Sequence, residues 1–184
     1  MVVNLPKNFL MQSSMHQLEL DNVQKRNIWK RVEHGLIFLV CWLFLGTWAA
    51  KQLLESVDPE EIQRYCFAVI EQGLQKTIEC GSTGNVVIDM ENLSYAQATH
   101  IATLRLAYVI FQGFEQYYPE IIKDIYIINA PWIFSFAFNF LKGVFAQKTM
   151  GKITIISYKE EWQAEFLKRF PRESIVPELR PPYC

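Results

Sequence analysis

The stretch that decides the fold is Tyr117–Ser157, YYPEIIKDIYIINAPWIFSFAFNFLKGVFAQKTMGKITIIS. Within it, Ile125–Ile128 is a continuous apolar run of strand length, broken at Asn129-Ala130-Pro131, and Ile153–Ile156 is a second such run. The aromatic segment between them, Trp132–Phe145, carries two periodicities. Phe134, Phe136, Phe138 and Phe140 alternate with Ser135, Ala137 and Asn139, as in a strand. Phe134, Phe138, Leu141 and Phe145 also share one helical face. Ile133, Phe136, Phe140 and Val144 line the adjacent face, and Ser135, Asn139 and Lys142 form a thin polar stripe. About four turns is normal for a helix and long for a strand. Pro131 suits a first helical turn, where its missing N–H costs nothing. The segment is expected to be a helix, apolar around most of its circumference.

Working outward, Tyr158–Phe170 reads as a charged amphipathic helix with Trp162, Phe166 and Leu167 facing inward, followed by a proline-rich, irregular tail. Upstream, Ser94–Tyr117 reads as one long helix, ended by Tyr118-Pro119 because a residue before proline is pushed out of the helical region. Val86–Asp89 is a short apolar strand of the kind buried on both faces. Before it, Asp58-Pro59-Glu60-Glu61 is a helix start with an N-cap, a proline at the first position and two first-turn acids. Ile62, Cys66, Val69, Ile70, Leu74 and Ile78 continue that helix as an apolar face, and Gly81 to Gly84 ends it. Helices and strands therefore alternate, which argues an α/β layer fold with mainly parallel pairing and three visible strands.

Residues 1–34 are polar and mixed, with a helix expected through Val23–Val32. Leu36–Trp48 then runs thirteen residues without a charge. Lys25, Arg26, Lys30 and Arg31 before it give the flank of a signal-anchor, and Ala49-Ala50 imitates a cleavage site. At 1.5 Å per residue, however, the segment 35–50 reaches only about 24 Å, short of a hydrocarbon core of roughly 30 Å. It is expected to pack on the domain or to lie in a membrane interface; anchoring the chain through 35–50 is the alternative.

A net charge of −1 offers no field for nucleic acid, and 51% hydrophobic residues with thirteen Phe call for a large core, a cavity or a membrane. Cys41, Cys66, Cys80 and Cys184 show no paired spacing, which suits a reducing compartment. No nucleophile elbow, phosphate loop or dinucleotide fingerprint occurs, and His16, His34 and His100 lack ligand spacing, so neither an enzyme nor a metal or cofactor site is expected. Asp89 and Glu91 are paired carboxylates without a base or nucleophile nearby; the plain reading is a strand-end acid capping the next turn. Asn92-Leu93-Ser94 is formally a glycosylation sequon, meaningful only in a lumenal protein.

YYPE, IYIINAPWIF and KTMGKITIIS together resemble the lipid-binding domain of the Sec14-like (CRAL-TRIO) family, over about Lys51 to Pro177. The resemblance implies an α/β fold, a mainly parallel sheet flanked by helices, with an aromatic gate helix over an apolar pocket. It implies a domain over 51–184 that lacks the family's early strands, preceded by an extension over 1–50. Tyr126, Ile128, Trp132, Phe134, Phe136, Phe138, Phe140, Leu141 and Phe145 become candidate lipid contacts. Relatives that bind phosphatidylinositol use an acid after Tyr-Pro, a neighbouring basic residue and a later lysine. Glu120 matches the acid, but Ile121 and Ala164 stand at the basic positions, so Glu120 is the lone head-group candidate and inositol selectivity is not expected. The implied function is non-catalytic binding or transfer of a phospholipid or other hydrophobic ligand, by a cytoplasmic protein peripheral to membranes. The alternative is a truncated, membrane-associated interaction protein with an incomplete cavity.

Overall fold

In the computed structural model, which describes residues 28–34, 36–79, 81, 83–118 and 120–180, the apolar run that begins at Leu36 is a sheet strand. Leu36–Phe44 (β2) pairs antiparallel with Ile28–His34 (β1) on one side and parallel with Gly84–Asp89 (β3) on the other. A strand buried on both faces has no need of polar alternation, which is why its sequence reads as hydropathy alone. Val40, Cys41 and Trp42 are at most 3% exposed. Leu36–Phe44 is thus an element of the sheet, not a piece packed against it, and the chain beyond it turns into the helix that begins at Ala50. Two strands, β1 and β2, join the three visible in the sequence. β1 also takes the second half of the helix expected over Val23–Val32, whose first half lies outside the described residues.

Ile122–Ile128 (β4) and Ile153–Ile156 (β5) complete a five-stranded sheet in the order β1-β2-β3-β4-β5, with β2 to β5 all parallel. The helices are Ala50–Ser56 (α1), Pro59–Glu79 (α2), Tyr95–Ala98 (α3), Ile101–Tyr117 (α4), Phe134–Leu141 (α5), Gln147–Met150 (α6) and Lys159–Leu167 (α7). Strand order follows chain order, and right-handed crossovers, the rule for parallel strands, place successive connecting helices on one face. That front face carries Cys41, Leu43, Val86, Ile88, Ile125 and Ile127 beneath α2, α4 and α5. The back face carries Val40, Trp42, Val87, Tyr126 and Ile128, packed against Trp162, Phe166, Phe170, Ile175, Val176 and Leu179.

Two helices differ from expectation for local reasons. The Ser94 hydroxyl and the Gln97 side chain form a capping box that closes α3 on itself. The Thr99 hydroxyl then returns to the Tyr95 carbonyl at 2.8 Å, and His100 Nδ1 meets Thr103 Oγ1 at 2.8 Å. Side chains that bond their own backbone compete with the helix, so the expected single helix over Ser94–Tyr117 breaks between α3 and α4. The helix expected over Tyr158–Phe170 ends at Leu167; its inward residues are Trp162 and Phe166, the Phe166 ring stacks at 4.5 Å on Phe170 beyond the helix end, and Leu167 is left 38% exposed. Asp58 does cap α2, accepting the Glu60 N–H at 2.7 Å. Among the described residues no helix is long and apolar enough to cross a membrane.

Trp42 tests the place of β2: it is fully buried, donates to the Ser174 carbonyl at 2.9 Å and meets Phe166 at 5.7 Å. Trp42→Ala is expected to cost about 3–5 kcal/mol in urea unfolding, and a loss below about 1 kcal/mol would show that β2 lies outside the core.

Candidate functional site

At the end of β4 the chain turns at Asn129, which has φ +52°, a conformation asparagine tolerates better than most residues. Its amide Nδ2 donates to Asp89 Oδ1 at 2.9 Å, and its carbonyl accepts from the Trp162 indole at 3.0 Å. Asp89 Oδ1 also accepts the Glu91 N–H at 2.9 Å, the turn-capping role read from the sequence. From this fixed point the chain enters α5 through a turn in which Phe134 N–H bonds the Pro131 carbonyl at 2.9 Å. The regular helix is shorter than the four turns expected. It spans eight residues and tightens into a 3-10 turn at Lys142–Val144, around Gly143, a poor helix former.

Between α5 and the front face of the sheet lies a cavity of about 280 Å³. The sheet supplies its floor. Cys66, Val69, Ile70 and Leu74 of α2 and Ala107, Ile110, Phe111 and Phe114 of α4 form its sides. Phe134, Phe138 and Leu141 of α5, with Phe145, form its roof. No Asp, Glu, Lys, Arg or His belongs to this wall among the described residues. Burial pushes both wall thiols up, Cys41 strongly and Cys66 to about 12, so both are neutral at physiological pH. The wall hydroxyls are engaged: Thr77 donates to the Gly73 carbonyl at 2.8 Å, and Tyr118 donates to the Glu71 carboxylate. Desolvation and that carboxylate together raise the Tyr118 pKa. An uncharged hollow of this kind can hold hydrocarbon.

The structure divides the residues picked out by sequence. Phe134, Phe138, Leu141 and Phe145 converge on the cavity. Tyr126 and Ile128 do not, because strand side chains alternate and these two point to the back face. Tyr126 packs there against Phe166 and Phe170, and its hydroxyl accepts from Arg169 Nη1 at 3.2 Å. Their neighbours Ile125 and Ile127 line the cavity instead. Trp132, Phe136 and Phe140 point away from it and are 79%, 49% and 43% exposed. Glu120, at φ +73°, lies outside the cavity in an exposed ion pair with Lys148, which holds its carboxyl below the usual range. Sequence reasoning missed Cys41 and Leu43 for want of strand β2. Cys66, Val69, Ile70 and Leu74 belong to the apolar face read from the sequence, where nothing separates solid packing from a hollow.

A profile of the CRAL/TRIO domain family matches residues 25–179. The Sec14 cytosolic factor of Schizosaccharomyces pombe is 37% identical over 144 residues, which cover 73% of this chain and 49% of that protein. Protein real-time of Drosophila pseudoobscura pseudoobscura is 26% identical over 144 residues, 74% of this chain and 21% of that protein. The crystal structure of Sfh5 superimposes with a TM-score of 0.67 at 18% identity, covering 79% of this chain and 51% of that one. The chain thus spans about half of two of these proteins and about a fifth of the third.

The wall thiols make a pH prediction. Their folded pKa values are raised, so the stability they confer is present below the unfolded value near 9 and is lost as pH rises through the folded one, about 12 for Cys66. Urea midpoints are expected to fall from pH 9 upward by an amount that shrinks in Cys66→Ala. Iodoacetamide at pH 8 is expected to label Cys41 and Cys66 slowly in the native protein and fast in urea.

Proposed function

Since the chain belongs to the CRAL/TRIO domain family, we propose that it binds a hydrophobic ligand, a lipid, in the cavity beneath α5 and carries it between membranes without chemical change. The observation that carries this reading is the uncharged hollow of about 280 Å³ between sheet and helix. Burying apolar area contributes roughly 25 cal/mol per Å², so a hydrocarbon chain is held there without strong polar contacts.

The same helix supports a peripheral, reversible contact with a bilayer. Trp132 in the turn before it and Phe136 and Phe140 on its outer side recur every four residues, an exposed aromatic stripe of the kind that sits in a lipid interface. The polar ties around α5 lie at its ends. Asn129 holds the entry, while Thr149 Oγ1 donating to Glu115 at 2.9 Å and the Lys148–Glu120 pair hold the exit. Between them, α5 meets the body mainly through apolar side chains, and bilayer hydrocarbon can replace such contacts at little cost. Opening is then a population shift favoured at the membrane surface. The S. pombe relative is named a cytosolic factor, which supports placing this chain in the cytoplasm.

Two variants separate the parts of the proposal. Val69→Phe fills the cavity wall. It is expected to lower lipid occupancy after vesicle incubation about tenfold, read by extraction and mass spectrometry, with little change in urea midpoint; undiminished occupancy would sink the cavity reading. Trp132→Ser with Phe136→Ser is expected to weaken vesicle sedimentation at least tenfold while occupancy persists, since each large ring contributes about 1.5–3 kcal/mol when buried. Phosphatidylinositol is expected to transfer no better than phosphatidylcholine, because Glu120 lies outside the cavity on Lys148.

A further inference from the structure

The outer side of α4 continues the exposed stripe of α5. Ile101, Arg105, Tyr108 and Gln112 are spaced by three and four residues, so they share one helical face, and all four are exposed. Exposed apolar residues that stand alone are ordinary, but these connect. The Tyr108 ring meets Phe140 of α5 edge-on, with centroids 6.2 Å apart. Ile101, Tyr108, Phe140, Phe136 and Trp132 thereby form one apolar surface that runs across two helices. Leu106 and Ile110, on the other side of α4, pack in the core with Leu53, Val57 and Ile62, so the outer positions stand clear of that core.

The charge of this surface has one sign. Over 92–114 and 129–146 the chain holds no Asp or Glu, and its Lys and Arg residues there are Arg105 and Lys142. Arg105 stands between Ile101 and Tyr108 on the outer face of α4, and Lys142 follows Phe140 where α5 ends. Both are exposed, and neither enters a hydrogen bond or ion pair among the described residues. The lysines beyond α5 are engaged: Lys148 pairs with Glu120, and Lys152 donates to the Ile122 carbonyl at 2.7 Å. Glu115, near the end of α4, already accepts from Thr149.

Exposed rings beside unpaired cations match an anionic bilayer. The rings settle at the head-group boundary, while the long stems of Arg105 and Lys142 lift their charges to the phosphates. A second copy of the chain fits worse. A two-fold contact brings the same surface to both sides and offers neither cation an acid.

We propose that α4 and α5 together form a docking surface for an anionic bilayer, in which Arg105 and Lys142 pair with acidic phospholipid head groups while Ile101, Tyr108 and the α5 stripe enter the interface. This deepens the peripheral-bilayer reading and rests on it.

Vesicle sedimentation at low salt, on phosphatidylcholine with and without phosphatidylserine, is the test. A cation near an anionic membrane strengthens binding about fivefold, so the wild type is expected to favour the anionic vesicles on the order of twentyfold, and less in high salt. Arg105→Gln with Lys142→Gln is expected to remove most of that preference and to leave binding to phosphatidylcholine unchanged. Ile101→Ser with Tyr108→Ser is expected to weaken binding to both vesicles about tenfold, with an unchanged urea midpoint as the control for folding. Equal wild-type binding to the two vesicles, or a preference that survives the double glutamine variant, overturns the anionic partner and leaves the peripheral reading standing. Undiminished binding of the double serine variant overturns the part given to α4. A dimer in gel filtration that the serine variant dissolves assigns the surface to a second copy and overturns the proposal. Failure of the wild type to sediment with either vesicle overturns both the proposal and the peripheral reading.

Discussion

The carboxamide of Asn129 is the interaction on which the rest of the molecule depends. With its donor on Asp89 and its acceptor under Trp162, one side chain ties the end of β4 to the end of β3 and to the helix behind the sheet. The third parallel strand joins through backbone: Gly46 N–H bonds the Asp89 carbonyl at 2.9 Å. A Cβ on Gly46 would lie 2.1 Å from the Glu91 carbonyl oxygen, so glycine is required at that approach. Few residues could replace Asn129, because the position needs a donor, an acceptor and a left-handed backbone at once. A carboxylate there would face Asp89 without a proton to offer.

From that junction the two faces of the sheet acquire opposite characters. The back face is solid, closed by Trp162, Phe166, Phe170 and the turns that follow them. The front face is spanned by helices that stand away from the strands, and the space under them stays open. The same four-residue run serves both: Ile125 and Ile127 line the hollow, while Tyr126 and Ile128 close the packed side. The solid packing thus lies on one side of the sheet and the hollow on the other.

Most of the fold was legible because its signals are local. Asp58 and Pro59 mark a helix start, Asn92 takes the positive φ its turn requires, and the Asn-Ala-Pro block stops β4 where expected. What was illegible depends on partners far away in sequence. Leu36–Phe44 pairs with a strand on each side and its residues Val40 to Trp42 are buried, and hydropathy cannot tell that burial from burial in lipid. The short β1 is defined by pairing with β2 and carries little strand signal of its own. The inward parity of β4 was equally hidden. Nothing between Ile122 and Ile128 says which face the later helix will fill, so Tyr126 and Ile128 were assigned to the cavity and their neighbours overlooked. Face selection on α5 had the same ambiguity, settled by contacts of Phe134 and Phe138 with Ile88, Ile125 and Ile127.

The unbroken strand order also has a kinetic meaning. Each strand from β2 onward can join the edge left by the one before it, so the sheet can grow by addition as the chain leaves the ribosome, without a strand inserting between two others. The cover of the back face comes last, since Trp162 to Leu179 follow every strand. Until they dock, Val40, Trp42, Val87, Tyr126 and Ile128 form an uncovered apolar sheet face, the kind of surface on which nascent chains aggregate or recruit chaperones. The residues that complete the core are therefore also those that end this period of exposure.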